Sequence, residues 1–126
     1  DLNKRDIATY VTDSDETALP IAVLINGDTA GGAELFAADL RDFGKAYLIG
    51  TKTAGAGKLQ KPYDLKDGGA VILSVGLLVT YSGVSYDGIG LKPDTEVISS
   101  QDPALTPAGE DIQIQAALGY FSREVD

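Results

Sequence analysis

Two glycine-rich runs hold the residue types and spacing from which acyl-transfer chemistry could be built: Asn26-Gly-Asp-Thr-Ala-Gly-Gly-Ala-Glu34 and Gly50-Thr-Lys-Thr-Ala-Gly-Ala-Gly-Lys-Leu-Gln60. The first follows the apolar, β-branched stretch Ile21 to Ile25. It precedes Ala33, Phe36, Ala37, Leu40 and Phe43, which keep near the three-and-four rhythm of a helix face. Strand, tight turn and helix in that order make an elbow. Such an elbow exposes one side chain at a helix N-terminus while backbone N–H groups face a developing oxyanion. Asp28 or Thr29 is expected to cap the helix, Glu34 sits in its positive first turn, and Gly44 suits its C-terminal stop. The Gly31-Gly32 pair has two readings, an anion-binding nest at the helix start or a backbone geometry with no ligand. In the second run Lys58 is an amine that an extended loop would present on the same face as residue 56, and Thr29 is the nearest hydroxyl upstream. Against that pair stands the position of Thr29, two residues before the elbow tip, since nucleophile and base must meet within hydrogen-bond reach.

Composition narrows the chemistry further. The 126 residues contain no histidine and no cysteine, so imidazole bases, thiol nucleophiles, disulfides and the usual zinc sites are excluded. Asp64, Asp67 and Asp87 lie near turns but lack the spacing of a calcium loop, and turn chemistry accounts for them; no metal or cofactor is expected. Nineteen acidic residues against ten basic ones give a net charge of -9, which repels phosphate backbones and argues against nucleic acid as a partner. The acidic residues are dispersed, as on a solubilising surface. No apolar run approaches the roughly 20 residues of a membrane span, so membrane insertion is not expected.

The elements that must position these runs read as an α/β layer fold in one domain. Ile7 to Thr12 is expected to be a strand, followed by a polar loop from Asp13 to Thr17. Pro20 introduces the buried strand Ile21 to Ile25, and Ala46 to Ile49 is the strand before the second run. The loop Thr53 to Gly57 lacks bulky residues and is expected to be mobile or ligand-facing. Lys58 to Leu65 and Ala70 to Tyr81 read as a hairpin joined by Lys66-Asp-Gly-Gly69, and the nearly all-apolar second strand is expected to be covered on both faces. Tyr81 and Tyr86 flank a Ser-Gly turn and suit either the rim of a peptide groove or ordinary packing. Thr106 and Pro107 are expected to start a last helix whose apolar stripe is Ile114, Ala117, Leu118 and Phe121.

The ordered motifs together resemble the catalytic core of the carboxyl-terminal processing, or tail-specific, serine proteases, which have a ClpP/crotonase-like fold and a Ser-Lys pair. The family's elbow reads approximately N-x-x-[ST]-A-S-A-[SA]-E-[IL], matched by Asn26, Thr29, Ala30, Glu34 and Leu35. Its second motif, G-x-x-T-[FY]-G-K-G-x-x-Q, is matched by Gly50, Thr53, Gly55, Gly57 and Gln60. Val79-Thr-Tyr-Ser-Gly83, Gly88-Ile-Gly-Leu-Lys-Pro-Asp94 and Asp111-Ile-Gln-Ile-Gln115 resemble later family segments, so the likeness runs from about Pro20 to Phe121. On those anchors the nucleophilic serine falls on Gly31 and the general-base lysine on Ala56. The resemblance implies that Gln60 orients the lysine, Gly32 contributes to the oxyanion hole, and Gly55 and Gly57 border the substrate. It also implies a peptide or protein C-terminal segment as partner and an extracytoplasmic bacterial setting, in the periplasm or cell envelope. No PDZ domain and no upstream oxyanion segment (L-R-x-N-x-G-G) is found, and the chain begins at Asp1; it is expected to be the later half of a catalytic domain, whose uncovered faces favour self-association. With glycine and alanine at the two catalytic positions, the expectation is a serine peptidase by family that is inactive as it stands, the alternative being a pseudoprotease module for peptide binding or assembly with no hydrolytic role.

Overall fold

In chain order the elements are β1 (Ile21–Ile25), α1 (Gly32–Asp42), β2 (Ala46–Gly50), β3 (Lys58–Asp64), β4 (Ala70–Leu77), β5 (Thr95–Glu96) and α2 (Ile112–Glu124). The computed structural model describes residues 17–100, 102 and 104–124. The strand expected over Ile7 to Thr12, and most of the loop after it, lie outside the described residues. β1 and β2 are parallel, Ile21 opposite Ala46 and Ile25 opposite Gly50, and β5 adds to the far side of β2. Parallel neighbours require a crossover, which α1 supplies.

Strand alternation assigns the layers. Leu48 joins Ile25, Ala37, Ala38, Tyr86 and Leu91 in one buried cluster on the α1 side. Tyr47, one residue earlier and therefore on the opposite face, stacks on Tyr120 of α2 with ring centroids 4.5 Å apart and planes 9° from parallel. β2 is thus covered on both faces, as its buried pair Leu48 and Ile49 requires. This is the α/β layering expected of the sequence.

Several local expectations are corrected. The buried face of α1 is Glu34, Ala37 and Ala38, displaced from the apolar stripe: Phe36 is 65% exposed and Phe43 55%. Alanines let the helix lie close to β2, and hydrogen bonds offset the burial of the carboxylate. Neither Asp28 nor Thr29 caps α1, whose N-cap is Gly31; the two instead belong to a turn built on Asn26, whose Oδ1 accepts the Asp28 and Thr29 N–H groups at 3.0 and 3.2 Å. Gly44 ends the helix as expected, its N–H donating to the Arg41 carbonyl at 2.8 Å.

β3 and β4 form the expected antiparallel hairpin, but β4 stops at Leu77 rather than Tyr81 and is not covered on both faces. Val71, Ile72, Leu73 and Leu77 are exposed, because among the described residues the hairpin is a separate two-stranded sheet with no layer against it. The last helix begins at Ile112, and its cap is Asp111, whose Oδ1 accepts the Gln113 and Ile114 N–H groups at 2.8 and 3.2 Å. Thr106 and Pro107 form a separate turn before it, in which Glu110 N–H donates to the Pro107 carbonyl. Ile114, Ala117 and Phe121 are half-buried, whereas Leu118 is exposed.

Candidate functional site

The elbow is built by the backbone of Gly31, which carries φ 61° and ψ -119° at the start of α1. Few side-chain-bearing residues adopt that conformation without strain, and a sharp strand-to-helix turn with one residue at its tip needs it. A Cβ built there would have space, with the Ala56 carbonyl oxygen 3.9 Å away as its nearest neighbour. The two positions matched to a catalytic pair therefore meet across one cleft. Ala30, Gly31, Ala56, Lys58, Gln60 and Asp87 line an open groove of about 480 Å³.

What holds the two loops together is Glu34, which is fully buried. Its Oε2 accepts the Gly31 N–H at 2.9 Å and the Ala56 N–H at 2.8 Å. Its Oε1 accepts the Gly55 N–H at 2.8 Å and the Thr53 hydroxyl. Burial alone would push this carboxyl up; the hydrogen bonds from Thr53, Gly55, Ala56 and Gly31 outweigh it and hold the group below its ordinary value. Thr53 Oγ1 in turn accepts the Leu91 N–H at 2.7 Å, tying in the segment that follows Tyr86. The loop from Thr53 to Gly57, expected to be mobile or ligand-facing, is pinned by these bonds and by Ala54 N–H to the Thr29 carbonyl at 3.0 Å, and it meets the groove at Ala56.

Gly55 and Gly57 are buried beneath the groove wall and do not line the groove. A Cβ on Gly55 would come within 2.8 Å of the Gly90 nitrogen, and one on Gly57 within 2.8 Å of the Asp87 nitrogen. Both glycines serve the close approach of two loops. Gly32 is exposed at the first turn of α1, and among the described residues nothing accepts its N–H. Gln60 and Lys58 lie on β3 and face the groove. Thr29 does not line it, and its Oγ1 accepts the Asn26 N–H at 3.0 Å, so no Thr29–Lys58 pair forms there.

Tyr86 and Glu34 complete the geometry. Tyr86, only 2% exposed, donates its hydroxyl to the Gly31 carbonyl at 3.0 Å and so fixes the elbow from below. Burial, with Glu34 and Asp39 nearby, pushes its phenol up to about 12. Glu34 was legible as a first-turn acid but not as the hub; the signal lay in its spacing, three and four residues before Ala37 and Ala38, which puts it on their face. Tyr81 lies away from the groove, packed on Phe43 at the far end of α1 with ring centroids 4.5 Å apart.

A parallel layer whose first crossover opens on a sharp glycine elbow, facing a glycine-rich loop across a groove, is the layout of a ClpP/crotonase-like core, here its later part. Residues 2–97 match peptidase family S41, and the chain belongs to that family. Over 111 residues it is 35% identical to the carboxyl-terminal-processing protease of Picosynechococcus, covering 86% of this chain and 26% of that protein. It is 44% identical over 78 residues to the carboxy-terminal-processing protease of Bartonella bacilliformis, covering 62% and 18%. Among solved structures, the photosystem II D1 C-terminal processing protease superposes with a TM-score of 0.63 at 34% identity, covering 81% of this chain and 25% of that one. The chain thus spans 26% or less of the length of these relatives. Relatives come from chloroplasts as well as bacteria, so the likeness does not single out a bacterial source. Among the described residues no helix is long and apolar enough to cross a membrane.

Proposed function

We propose that this S41 member is a pseudoprotease module whose groove holds an extended peptide, or the C-terminal segment of a protein, without cleaving it. In the mechanism implied by the resemblance, a serine at position 31 is deprotonated by a neutral lysine at position 56. It then attacks the scissile carbonyl to form an acyl-enzyme, with the Gly32 N–H among the oxyanion donors. Gly31 has no oxygen to attack and Ala56 no amine to take the proton. Gln60, matched to the residue that orients the lysine, has nothing to orient. The observation that carries the reading is an elbow facing a glycine-rich loop and opening on a groove, in which no hydroxyl and amine meet among the described residues. Loss of the nucleophile alone costs on the order of a millionfold in well-studied serine proteases, so hydrolysis is negligible. The alternative, a working serine peptidase that acts near protein C-termini, draws on the relatives' names and lacks a nucleophile among these residues. An extracytoplasmic setting belongs to the same proposal and draws on the carboxyl-terminal processing relatives.

Two measurements test this. A serine-directed fluorophosphonate is expected to leave the protein unlabelled, and stoichiometric labelling at any residue overturns the inactivity. Titration with an extended peptide bearing a free carboxylate is expected to shift the amide resonances of Gly31, Gly32, Ala56 and Gln60; unchanged resonances at saturating peptide overturn the binding.

A further inference from the structure

The two edges of the β3–β4 hairpin are built differently. β3 carries Pro62, which has no N–H to offer, and the charged side chains of Lys58, Lys61 and Asp64. Proline and lysine on an edge are devices that keep it from pairing. β4 has neither: Ala70–Leu77 is eight residues without proline, and no charged residue lies between Asp67 and Asp87. Its apolar side chains are uncovered, Ile72 at 64%. Among the described residues no strand pairs with its far side. A lone two-stranded ribbon is marginally stable in water, and further strands give it independent stability.

The register shows which backbone groups face that free edge. Leu65 N–H donates to the Gly69 carbonyl at 2.7 Å, which makes this a bonded pair at the turn. Alternating outward, Tyr63–Val71 and Lys61–Leu73 are hydrogen-bonded pairs, while Asp64–Ala70, Pro62–Ile72 and Gln60–Ser74 are not. Pro62 therefore leaves no ladder bond unmade. The same alternation turns the N–H and C=O groups of Ala70, Ile72 and Ser74 away from β3, toward the open side.

We propose that this edge pairs with the same edge of a second copy of the chain, β4 against β4 and antiparallel, giving a four-stranded sheet about a two-fold axis. Charge selects the site. Copies of a chain with net charge -9 repel one another, and the hairpin is where they meet least of that repulsion: residues 58–77 carry three lysines and two aspartates, and β4 carries no charge. A two-fold contact satisfies both free edges at once and closes, whereas a head-to-tail contact would leave one open. Because Lys58 and Gln60 on β3 line the groove, the pairing also braces its wall. This inference stands whether or not the groove binds peptide.

Sedimentation of the full chain as a function of concentration tests it, with Ile72→Lys and Ile72→Thr alongside. The unaltered chain is expected to reach twice its monomer mass. Ile72→Lys is expected to weaken association about tenfold or more, since it sets like charges across the new pair, and Ile72→Thr to remain dimeric. In amide hydrogen exchange, protection at Ala70, Ile72 and Ser74 is expected to rise with concentration, while that at Gln60 and Asp64 stays constant. A monomer at all concentrations overturns the proposal, as does an Ile72→Lys chain that folds and dimerises normally. So does concentration-dependent protection at Ile21–Ile25 instead, or protection of β4 in a particle of one chain, which would mean an intramolecular strand. Should Ile72→Lys fail to fold, the exchange pattern of the unaltered chain decides alone.

Discussion

Glu34 is a buried charge with no cation beside it among the described residues, and its four hydrogen-bond donors make it tolerable by offering both oxygens what water would have supplied. The cost of removing it is asymmetric, because the buried Gly55 N–H and the part-buried Gly31 and Ala56 N–H groups would all lose their acceptor. Gly31 poses the converse case, a residue whose backbone is special and whose side chain is missing. At φ 61° a side chain adds strain of about 1–3 kcal/mol, while the nearest atom to a new Cβ, at 3.9 Å, leaves room for it. Gly31→Ser is therefore expected to fold, to lower the unfolding free energy in urea by that increment, and to stay unreactive toward fluorophosphonates because Ala56 provides no base. Full stability in the variant would show that the elbow relaxes; labelling would show that Lys58 reaches the new hydroxyl.

At the scale of elements, α2 has two candidate caps in its sequence and uses the second. Thr106-Pro107 has the right chemistry for a helix start, and Asp111 has it too; the helix starts at Asp111, whose Oδ1 accepts two N–H groups, while the Thr106 hydroxyl donates to the Asp102 carbonyl at 2.8 Å instead of capping. Asp111→Ala is expected to cost about 1 kcal/mol in denaturant unfolding, and Thr106→Ala distinctly less; the reverse order would restore the earlier cap. β1, the body of α1, β2 and the hairpin turn were legible because each rests on local signals: β-branched runs, helical spacing, and glycines at the turn. The elbow and its facing loop were legible through the order of two motifs, which brought Gly31, Ala56 and Gln60 to one groove. The buried face of α1 was not, because apolar spacing does not report where hydrogen-bond donors lie in the fold. Phe36 and Phe43 stand exposed while a carboxylate goes inside, an outcome set by donors on Thr53, Gly55 and Ala56, some twenty residues further along the chain. The same limit hid the exposure of β4, since a strand's composition states what it would bury but not whether a layer is present to bury it.

For the molecule as a whole, Glu34 and Tyr86 set opposite ends of one stability profile while joining the same two loops to one core. Glu34 has a folded-state pKa below its unfolded value, so its contribution is complete above the ordinary carboxylate range, roughly pH 4–5, and is lost as pH falls through the folded value. Protonation removes the charge that the four donors stabilise. Tyr86 has a folded pKa of about 12 against 10.0 unfolded, so its contribution is complete below pH 10 and is lost as pH rises through 12. Ionisation deprives the Gly31 carbonyl of its donor and places a second charge near Glu34. Between these limits stability from the pair is level. Urea midpoints measured across the pH range are therefore expected to fall on both sides, with Glu34→Gln flattening the acid limb and Tyr86→Phe the alkaline limb. Each substitution should also lower the unfolding free energy between the limbs, the first by at least about 2 kcal/mol because the amide NH₂ faces donors, the second by about 1 kcal/mol for one lost hydrogen bond. An acid limb unchanged in Glu34→Gln would mean that other carboxylates govern acid unfolding and that the elbow and its facing loop are held together by something other than this charge.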